Sequence, residues 1–381
     1  MMYHMPTKIQ FGIGIFNNLE NIVKEYSPHK ILLITGKNFM RESGLLDRTL
    51  NLLQNYIVIH YTVEPYPKLE DVDNLIIESM ENRINLIIGI GGGSVLDTAK
   101  IISVMFNNEK SALDYDKEKI NKKYLPFIAV PTTAGTGSEV TPFAVFYQNK
   151  RKKSFGGVKH SIVFPDYAIV DPELTITMNK ELIASTGLDA FSQALESYWS
   201  VHSNALSDVH SLEAIKLIMR NLENSYLHDD INYKVNMARA SLESGLAFSQ
   251  TATTAPHSVS YPMTAHFNLK HGFACALTLP EFLFYNYTVK DSDCTDRRGN
   301  DFVAERLEDL SRKINFNSVL EFYHRIKDLM FNIRAPLTLK DANINDINII
   351  IDEGFSPERM SNNPRLVTSD SLRSLLLNIL K

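Results

Sequence analysis

The sequence predicts an α/β domain built on a parallel sheet, followed by an all-helical domain, and three observations carry that prediction. Short continuous apolar runs alternate with amphipathic stretches through the first part of the chain. Strand patterns stop after about residue 180, and helical periodicity then recurs through Leu206 to Leu222, Val235 to Phe248 and Val303 to Ile314. Between the two regimes, Asp171-Pro172-Glu173 begins a linker, which sets the expected domains at residues 1–180 and 181–381.

In chain order, residues 3 to 12 read as a short strand ending at a glycine turn, followed by a helix over Phe16 to Tyr26. Lys30 to Lys37 contains the apolar run Ile31-Leu32-Leu33-Ile34 and is punctuated by Gly36, which suits a strand buried on both faces. Helical periodicity resumes through Leu45 to Asn55, then come a strand over Tyr56 to Thr62, a helix over Leu69 to Asn82 and a strand over Leu86 to Ile90. Such alternation places helices on both sides of a parallel sheet. Phe143 to Val170 is strand-like, with the basic tip Lys150-Arg151-Lys152-Lys153 reading as a solvated hairpin.

The strand ending at Ile90 runs into Gly91-Gly92-Gly93-Ser94, and an apolar helix over Val95 to Phe106 follows. Consecutive glycines let backbone approach a ligand closely, and the free N–H groups opening the helix attract phosphate. The pattern is not G-x-G-x-x-G, and a glycine turn between strand and helix also has a purely structural use. A second strand, Phe127 to Val130, opens into the hydroxyl- and glycine-rich run Pro131 to Thr141, which suits a nucleotide's ribose or phosphates or an ordinary polar turn. Two such loops after neighbouring strands point to a nucleotide crevice.

Three of the eleven histidines, His257, His266 and His271, fall within Thr254 to Gly272. His257 and His271 sit beside small or turn-forming residues, and two imidazoles from a helix and the turn after it need few further donors to hold a divalent ion. Taken alone, the stretch reads first as a core His257 and a His271 at a helix C-terminus. Upstream, Asp189 and Gln193 lie four apart on a second face of the helix predicted over Ser185 to Tyr198, so both side chains reach one point. With the two imidazoles they make a mixed oxygen and nitrogen shell for Zn(II) or Fe(II); without them the pair would read as solvated.

Composition narrows the classes. A hydrophobic fraction of 44% with 22% charged residues in 381 residues fits two globular domains and excludes disorder. The net charge of −5 and scattered Lys and Arg give no footprint for nucleic acid. No apolar run approaches the roughly 20 residues of a spanning helix, so no membrane partner is expected. The two cysteines, Cys275 and Cys294, provide no disulfide framework, which makes the cytoplasm the expected compartment.

Gly91-Gly92-Gly93-Ser94 with Asp97, Thr98 and Lys100, the run Pro131 to Thr141, Asp171-Pro172-Glu173-Leu174, Thr186-Gly187-Leu188-Asp189-Ala190, and His257 with His271-Gly272 together resemble the iron-containing, or group III metal-dependent, alcohol dehydrogenases. The resemblance runs from Phe11-Gly12 to Asn363-Pro364-Arg365. It implies the dehydroquinate synthase-like fold of that family, hydride transfer between NAD(P)H and a carbonyl at a metal in the cleft between domains, and a homodimer. By position, Asp189, His257 and His271 look like the family's metal ligands. The family's fourth ligand is usually a histidine where this chain has Gln193, whose amide oxygen is a weaker donor. A further histidine of many members, implicated in proton relay, is here Tyr261. Expected dinucleotide contacts are Gly36, Gly91, Gly92, Gly93, Ser94, Asp97, Thr132, Thr133, Thr136 and Ser138. Thr35-Gly36-Lys37 offers no acid to repel a 2′-phosphate, so NADPH is expected to be accepted.

The wording of Ser192 to Ser200 and Thr253 to Pro262 is most similar to the phosphonoacetaldehyde reductase branch, which makes 2-hydroxyethylphosphonate. A phosphonate-bearing aldehyde would need cations, for which Lys153, Lys159, His160 and Lys270 are candidates or else ordinary surface residues. The rival readings are a general short-chain alcohol dehydrogenase, a three-ligand sugar-phosphate dehydrogenase or lyase on the same fold, and a pseudoenzyme that keeps the scaffold as a binding module.

Overall fold

The computed structural model describes residues 3–107, 111–114, 123–149, 151–157 and 160–381. It divides into two compact units, His4–Met178 and Asn179–Lys381, with Tyr3 belonging to the second.

The first unit carries strands β1 (Lys8–Phe11), β2 (Lys30–Gly36), β3 (Ile57–Val63), β4 (Leu86–Gly91), β5 (Phe127–Pro131), β6 (Phe143–Gln148), β7 (Arg151–Gly156) and β8 (Tyr167–Val170). Six of them form one sheet in the order β1-β8-β5-β4-β2-β3, and every pairing in it is parallel. Its helices are α1 (Leu19–Tyr26), α2 (Phe39–Glu42), α3 (Leu45–Leu52), α4 (Leu69–Glu81) and α5 (Gly93–Met105). Side chains alternate across a strand. Ile31 and Leu33 of β2 therefore pack in one core with Leu19, Ile22 and Leu45, while Leu32 and Ile34 pack in another with Val72, Ile76, Leu96 and Ile102. This two-sided burial is why β2 and β4 read as unbroken apolar runs.

The stretch Phe143 to Val170 is not uniformly strand-like. β6 and β7 pair antiparallel outside the main sheet, and a 3-10 turn at Ser161–Val163 precedes β8. Ala144 and Phe146 are buried while their neighbours are half-buried, so β6 has one face to cover and needs no place inside the sheet. At the expected basic tip, Lys150 and the side chains of Arg151 and Lys152 lie outside the described residues.

The second unit has no strand among its described residues. Its helices are α6 (Lys180–Trp199), α7 (Ala205–Leu227), α8 (Ile231–Thr251), α9 (Ala255–Phe267), α10 (His271–Tyr287), α11 (Asn300–Lys313), α12 (Val319–Asn332), α13 (Asn348–Glu353), α14 (Pro357–Met360) and α15 (Ser369–Asn378). Asn179 caps α6 by accepting from the Leu182 amide at 2.9 Å. From Gly187 to Trp199 every residue of α6 is buried, as expected of a helix packed on all sides. Its polar residues Asp189, Gln193 and Glu196 are therefore buried as well.

Candidate metal centre

Asp189, at the middle of α6, is where the helical unit gathers its polar side chains. α9 ends early because Asn268 takes the left-handed conformation (φ 54°), and α10 starts three residues later at His271. His271 thus opens a helix; it neither closes one nor lies in a turn after α9. Gly272 makes that placement possible, since a Cβ there would lie 1.8 Å from the Ser185 carbonyl oxygen. The bare backbone of α10 abuts α6 one turn before Asp189, which brings the His271 ring to the carboxylate.

His257 comes from the first turn of α9, and Glu196 of α6 fixes it. One Glu196 oxygen accepts from the Thr254 amide at 2.6 Å and from its hydroxyl at 3.0 Å, and the other bonds His257 Nδ1. Trp199 Nε1 in turn donates to Thr254 Oγ1 at 2.8 Å. A carboxylate on Nδ1 requires the proton there, so in the neutral ring it is Nε2 that carries the lone pair. Nε2 lies 3.4 Å from Asp189 Oδ1, and His271 Nε2 lies 3.9 Å from the same oxygen. The two rings are nearly perpendicular, 5.3 Å apart. Cys275, one turn along α10, sets its sulfur 3.8 and 3.9 Å from the two His271 nitrogens. One donor atom each from Asp189, His257, His271 and Cys275 falls within 4.8 Å of all the others.

These residues fit a divalent cation. Two donors sharing a tetrahedral zinc stand roughly 3.4–3.6 Å apart, close to the separations here. Asp189 Oδ1 is buried with no hydrogen-bond donor among the described residues, an arrangement that costs about 1–3 kcal/mol unless something else supplies positive charge. Burial alone would push His257 down, yet Cys275, Glu196 and Asp189 together hold it well above the usual histidine range. Burial pushes the Cys275 thiol up, against the pull of His257. Anions that draw a proton onto an imidazole draw a metal ion to the same place.

Of the expected metal residues, Asp189, His257 and His271 converge. Gln193 is buried one turn beyond Asp189, with its side-chain oxygen 3.4 Å from Ser244 Oγ on α8. Tyr261 stacks on His271 at 6.1 Å and 28°, and the Arg359 guanidinium lies 4.8 Å from the centre of the Tyr261 ring. Glu196, Cys275 and Arg359 were not expected from the sequence. Two had a signal available: Glu196 lies seven residues after Asp189 on one helix, and Cys275 four after His271. Arg359 had none.

The expected dinucleotide residues lie in the α/β unit, at the carboxyl ends of β2, β4 and β5, where Thr35 pairs with Ile90 and Gly91 with Pro131. The two loops touch: a Cβ on Gly93 would meet the Thr136 methyl at 2.9 Å, and one on Gly92 would meet that of Thr133 at 3.4 Å. Thr132 donates its amide to Gly91 O at 3.0 Å, Ser94 Oγ accepts from the Tyr66 amide at 3.3 Å, and Gly36 ends β2. Asp97 and Ser138 have a structural task, because Ser138 Oγ donates to Asp97 Oδ1 at 2.6 Å and the Val145 amide to Oδ2 at 3.0 Å. The buried Lys100 amine completes this network by donating to Ser138 Oγ, Thr141 Oγ1 and Phe143 O. Burial lowers Lys100 to about 8 and raises the neighbouring Glu139 to about 7. Among the expected cations, Lys270 is held by Glu181 at 2.7 Å, Lys153 and His160 belong to the α/β unit, and Lys159 lies outside the described residues.

Comparison with known proteins gives a consistent picture. Residues 6–172 match the family described as iron-containing alcohol dehydrogenase, and residues 183–380 match its C-terminal domain family. The chain is 35% identical over 346 residues to long-chain-alcohol dehydrogenase 1 of Geobacillus thermodenitrificans, covering 88% of this chain and 84% of that one. It is 28% identical to the NADPH-dependent butanol dehydrogenase of Clostridium saccharobutylicum, over 98% of this chain and 97% of the relative. Among solved structures, sulfoacetaldehyde reductase from Bifidobacterium kashiwanohense in complex with NAD+ superposes with a TM-score of 0.89 at 30% identity, covering 99% of this chain and 98% of that one. No helix among the described residues is long and apolar enough to cross a membrane.

Proposed function

The chain belongs to the iron-containing alcohol dehydrogenases, NAD(P)-dependent oxidoreductases that use a divalent metal, and from that premise we propose that it reduces a two-carbon aldehyde bearing a tetrahedral anionic head, phosphonoacetaldehyde first, to the corresponding alcohol. The observation that carries the site is the convergence of His257 and His271 on a buried Asp189 oxygen that lacks a donor. The substrate reading is supported by the resemblance around Ser192 to Ser200 and by likeness to an enzyme named for sulfoacetaldehyde.

In this reading Asp189, His257 and His271 hold the metal. Cys275 offers a fourth donor within the same cluster, and Gln193, buried one turn beyond Asp189 on α6, is the other candidate. Bound there, the metal supplies Lewis acidity to the carbonyl oxygen while the nicotinamide supplies hydride. Glu196 keeps His257 in the tautomer that leaves Nε2 able to coordinate. Tyr261, whose ring stacks on His271, is in this reading the phenol that passes a proton to the product oxygen. Gly91, Gly92, Gly93, Thr133 and Thr136 cradle the dinucleotide's phosphates, and Lys37, which pairs with Glu64 at 2.7 Å, is the cation nearest Gly36 for a 2′-phosphate to engage. A cytoplasmic homodimer is part of the same proposal.

The test is steady-state reduction of phosphonoacetaldehyde, sulfoacetaldehyde, propanal and a long-chain aldehyde by metal-loaded enzyme, with NADPH and NADH in turn. A higher kcat/KM for an anionic two-carbon aldehyde, with NADPH accepted, is the expected outcome. Preference for the neutral or long-chain aldehydes would replace this reading by the general alcohol dehydrogenase that the Geobacillus relative's name describes.

A further inference from the structure

An anionic substrate needs a cation whose charge is not already taken, and one lies beside the metal centre. Arg359, on the short helix α14, makes no ion pair among the described residues, and its Nε is buried without a hydrogen-bond acceptor there. Unmet guanidinium donors are costly to bury, so such a group is retained where an acceptor arrives from outside.

Its position is fixed by three contacts. Ser258, next to His257 on α9, donates its hydroxyl to Gly354 O at 2.6 Å and accepts from the Ser356 amide at 2.7 Å, which clamps the turn before α14 to α9. Gly354 ends α13 where a Cβ would lie 2.3 Å from Ile350 O and at ordinary contact distance from Val259 of α9. The guanidinium then lies 4.8 Å from the centre of the Tyr261 ring, which stacks on His271. The order is metal residue, aromatic ring, cation. The guanidinium and the His271 ring thus share one neighbour, the Tyr261 ring, which sets the cation on the same side of the helical unit as the metal-binding side chains.

We propose that Arg359 is the residue that selects the substrate's head group, taking a phosphonate or sulfonate oxygen pair in its planar fork. The inference rests on the substrate class proposed above. Arg suits the task better than Lys because its two parallel N–H donors match two oxygens on one tetrahedral centre. Stacking against Tyr261 orders the side chain before the anion arrives, so less freedom is lost on binding.

The test compares wild type, Arg359→Lys and Arg359→Met on three aldehydes of similar length, phosphonoacetaldehyde, sulfoacetaldehyde and propanal. A charge-assisted bidentate contact is worth about 1.5–3 kcal/mol, so in Arg359→Met the ratio of kcat/KM for an anionic aldehyde to that for propanal should fall on the order of 10–100-fold. Arg359→Lys should recover part of the ratio, and ethylphosphonate should lose potency as an inhibitor in parallel with it. A larger effect on the phosphonate than on the sulfonate assigns the head group as a dianion, and the reverse as a monoanion. If both variants lower all three activities equally, Arg359 is merely structural and the proposal fails. If wild type prefers the anions and Arg359→Met keeps that preference, the head group binds elsewhere and only this assignment is lost. If wild type shows no such preference, the substrate class itself is wrong.

Discussion

In the α/β unit the buried Lys100 amine has three protein acceptors within 3.1 Å, whereas in the helical unit the buried Asp189 Oδ1 has two imidazoles near it and no donor in hydrogen-bond geometry among the described residues. Asp97, Ser138, Thr141 and Lys100 satisfy one another and tie the loop after β5 to α5. Asp189, His257, His271 and Cys275 present donor atoms to a shared point, and Arg359 holds out a charge beside them. Closed polar sets hold a fold in one conformation; open ones, stable only with a ligand present, mark where chemistry is done.

The largest effect should come from the open set. Asp189→Ala removes the oxygen on which both imidazoles converge, so the purified variant should lose bound metal, and kcat/KM for aldehyde reduction should drop by more than about 1,000-fold, the several kcal/mol a Lewis acid contributes. Its unfolding midpoint without metal should stay near that of wild type, because a buried acceptor without a donor in hydrogen-bond geometry is gone while His257 loses one of the anions that hold its proton. A variant that unfolds early would mean that Asp189 belongs to the closed kind.

The closed set should respond in stability. Lys100→Met leaves Asp97 and three acceptors without their cation and should destabilise the α/β unit by about 3 kcal/mol in denaturant titration. The pH dependence has a definite sign. Burial lowers Lys100 from 10.5 to about 8, so between those values the unfolded chain binds a proton that the native one does not, and wild-type stability rises with pH across that window. Lys100→Met should flatten the rise; an unchanged slope would show that Lys100 is not the group titrating.

How legible each set was in the sequence follows from the range of its contacts. β2 and β4 announced themselves because burial on both faces leaves only apolar residues at consecutive positions. The glycines at the start of α5 were visible because backbone approach admits no other residue at Gly93 without moving Thr136. Asp189 and Gln193 could be placed on one helix by spacing, and the family resemblance selected His257 and His271. What spacing could not give was the end of α9. The left-handed turn at Asn268 moved His271 to the start of α10 and put Cys275 on its face, converting a cysteine read only for its lack of a disulfide partner into a member of the cluster. Arg359 reaches Tyr261 across almost a hundred residues of chain, and no local pattern reports such a contact.

The smallest and most discriminating effect concerns the fourth donor, for which spacing points to Gln193 and the donor cluster also holds Cys275. Thiolate and amide differ in kind: a thiolate coordinated to Co(II) gives an intense near-ultraviolet charge-transfer band that an amide oxygen cannot. Cobalt-substituted wild type and Gln193→Ala should both show the band, and Cys275→Ser should lose it with a fall in Zn(II) affinity of at least roughly tenfold, the low end for even an outer-shell partner. Cys294→Ser, the control, should leave the spectrum unchanged. A wild-type protein that binds cobalt without the band would return the position to Gln193 and make the shell all oxygen and nitrogen, suited to iron. The band, if present, shifts preference toward zinc, because soft sulfur favours that metal over Fe(II). Binding through the thiol also releases its proton, so Zn(II) affinity should rise with pH in wild type more steeply than in Cys275→Ser.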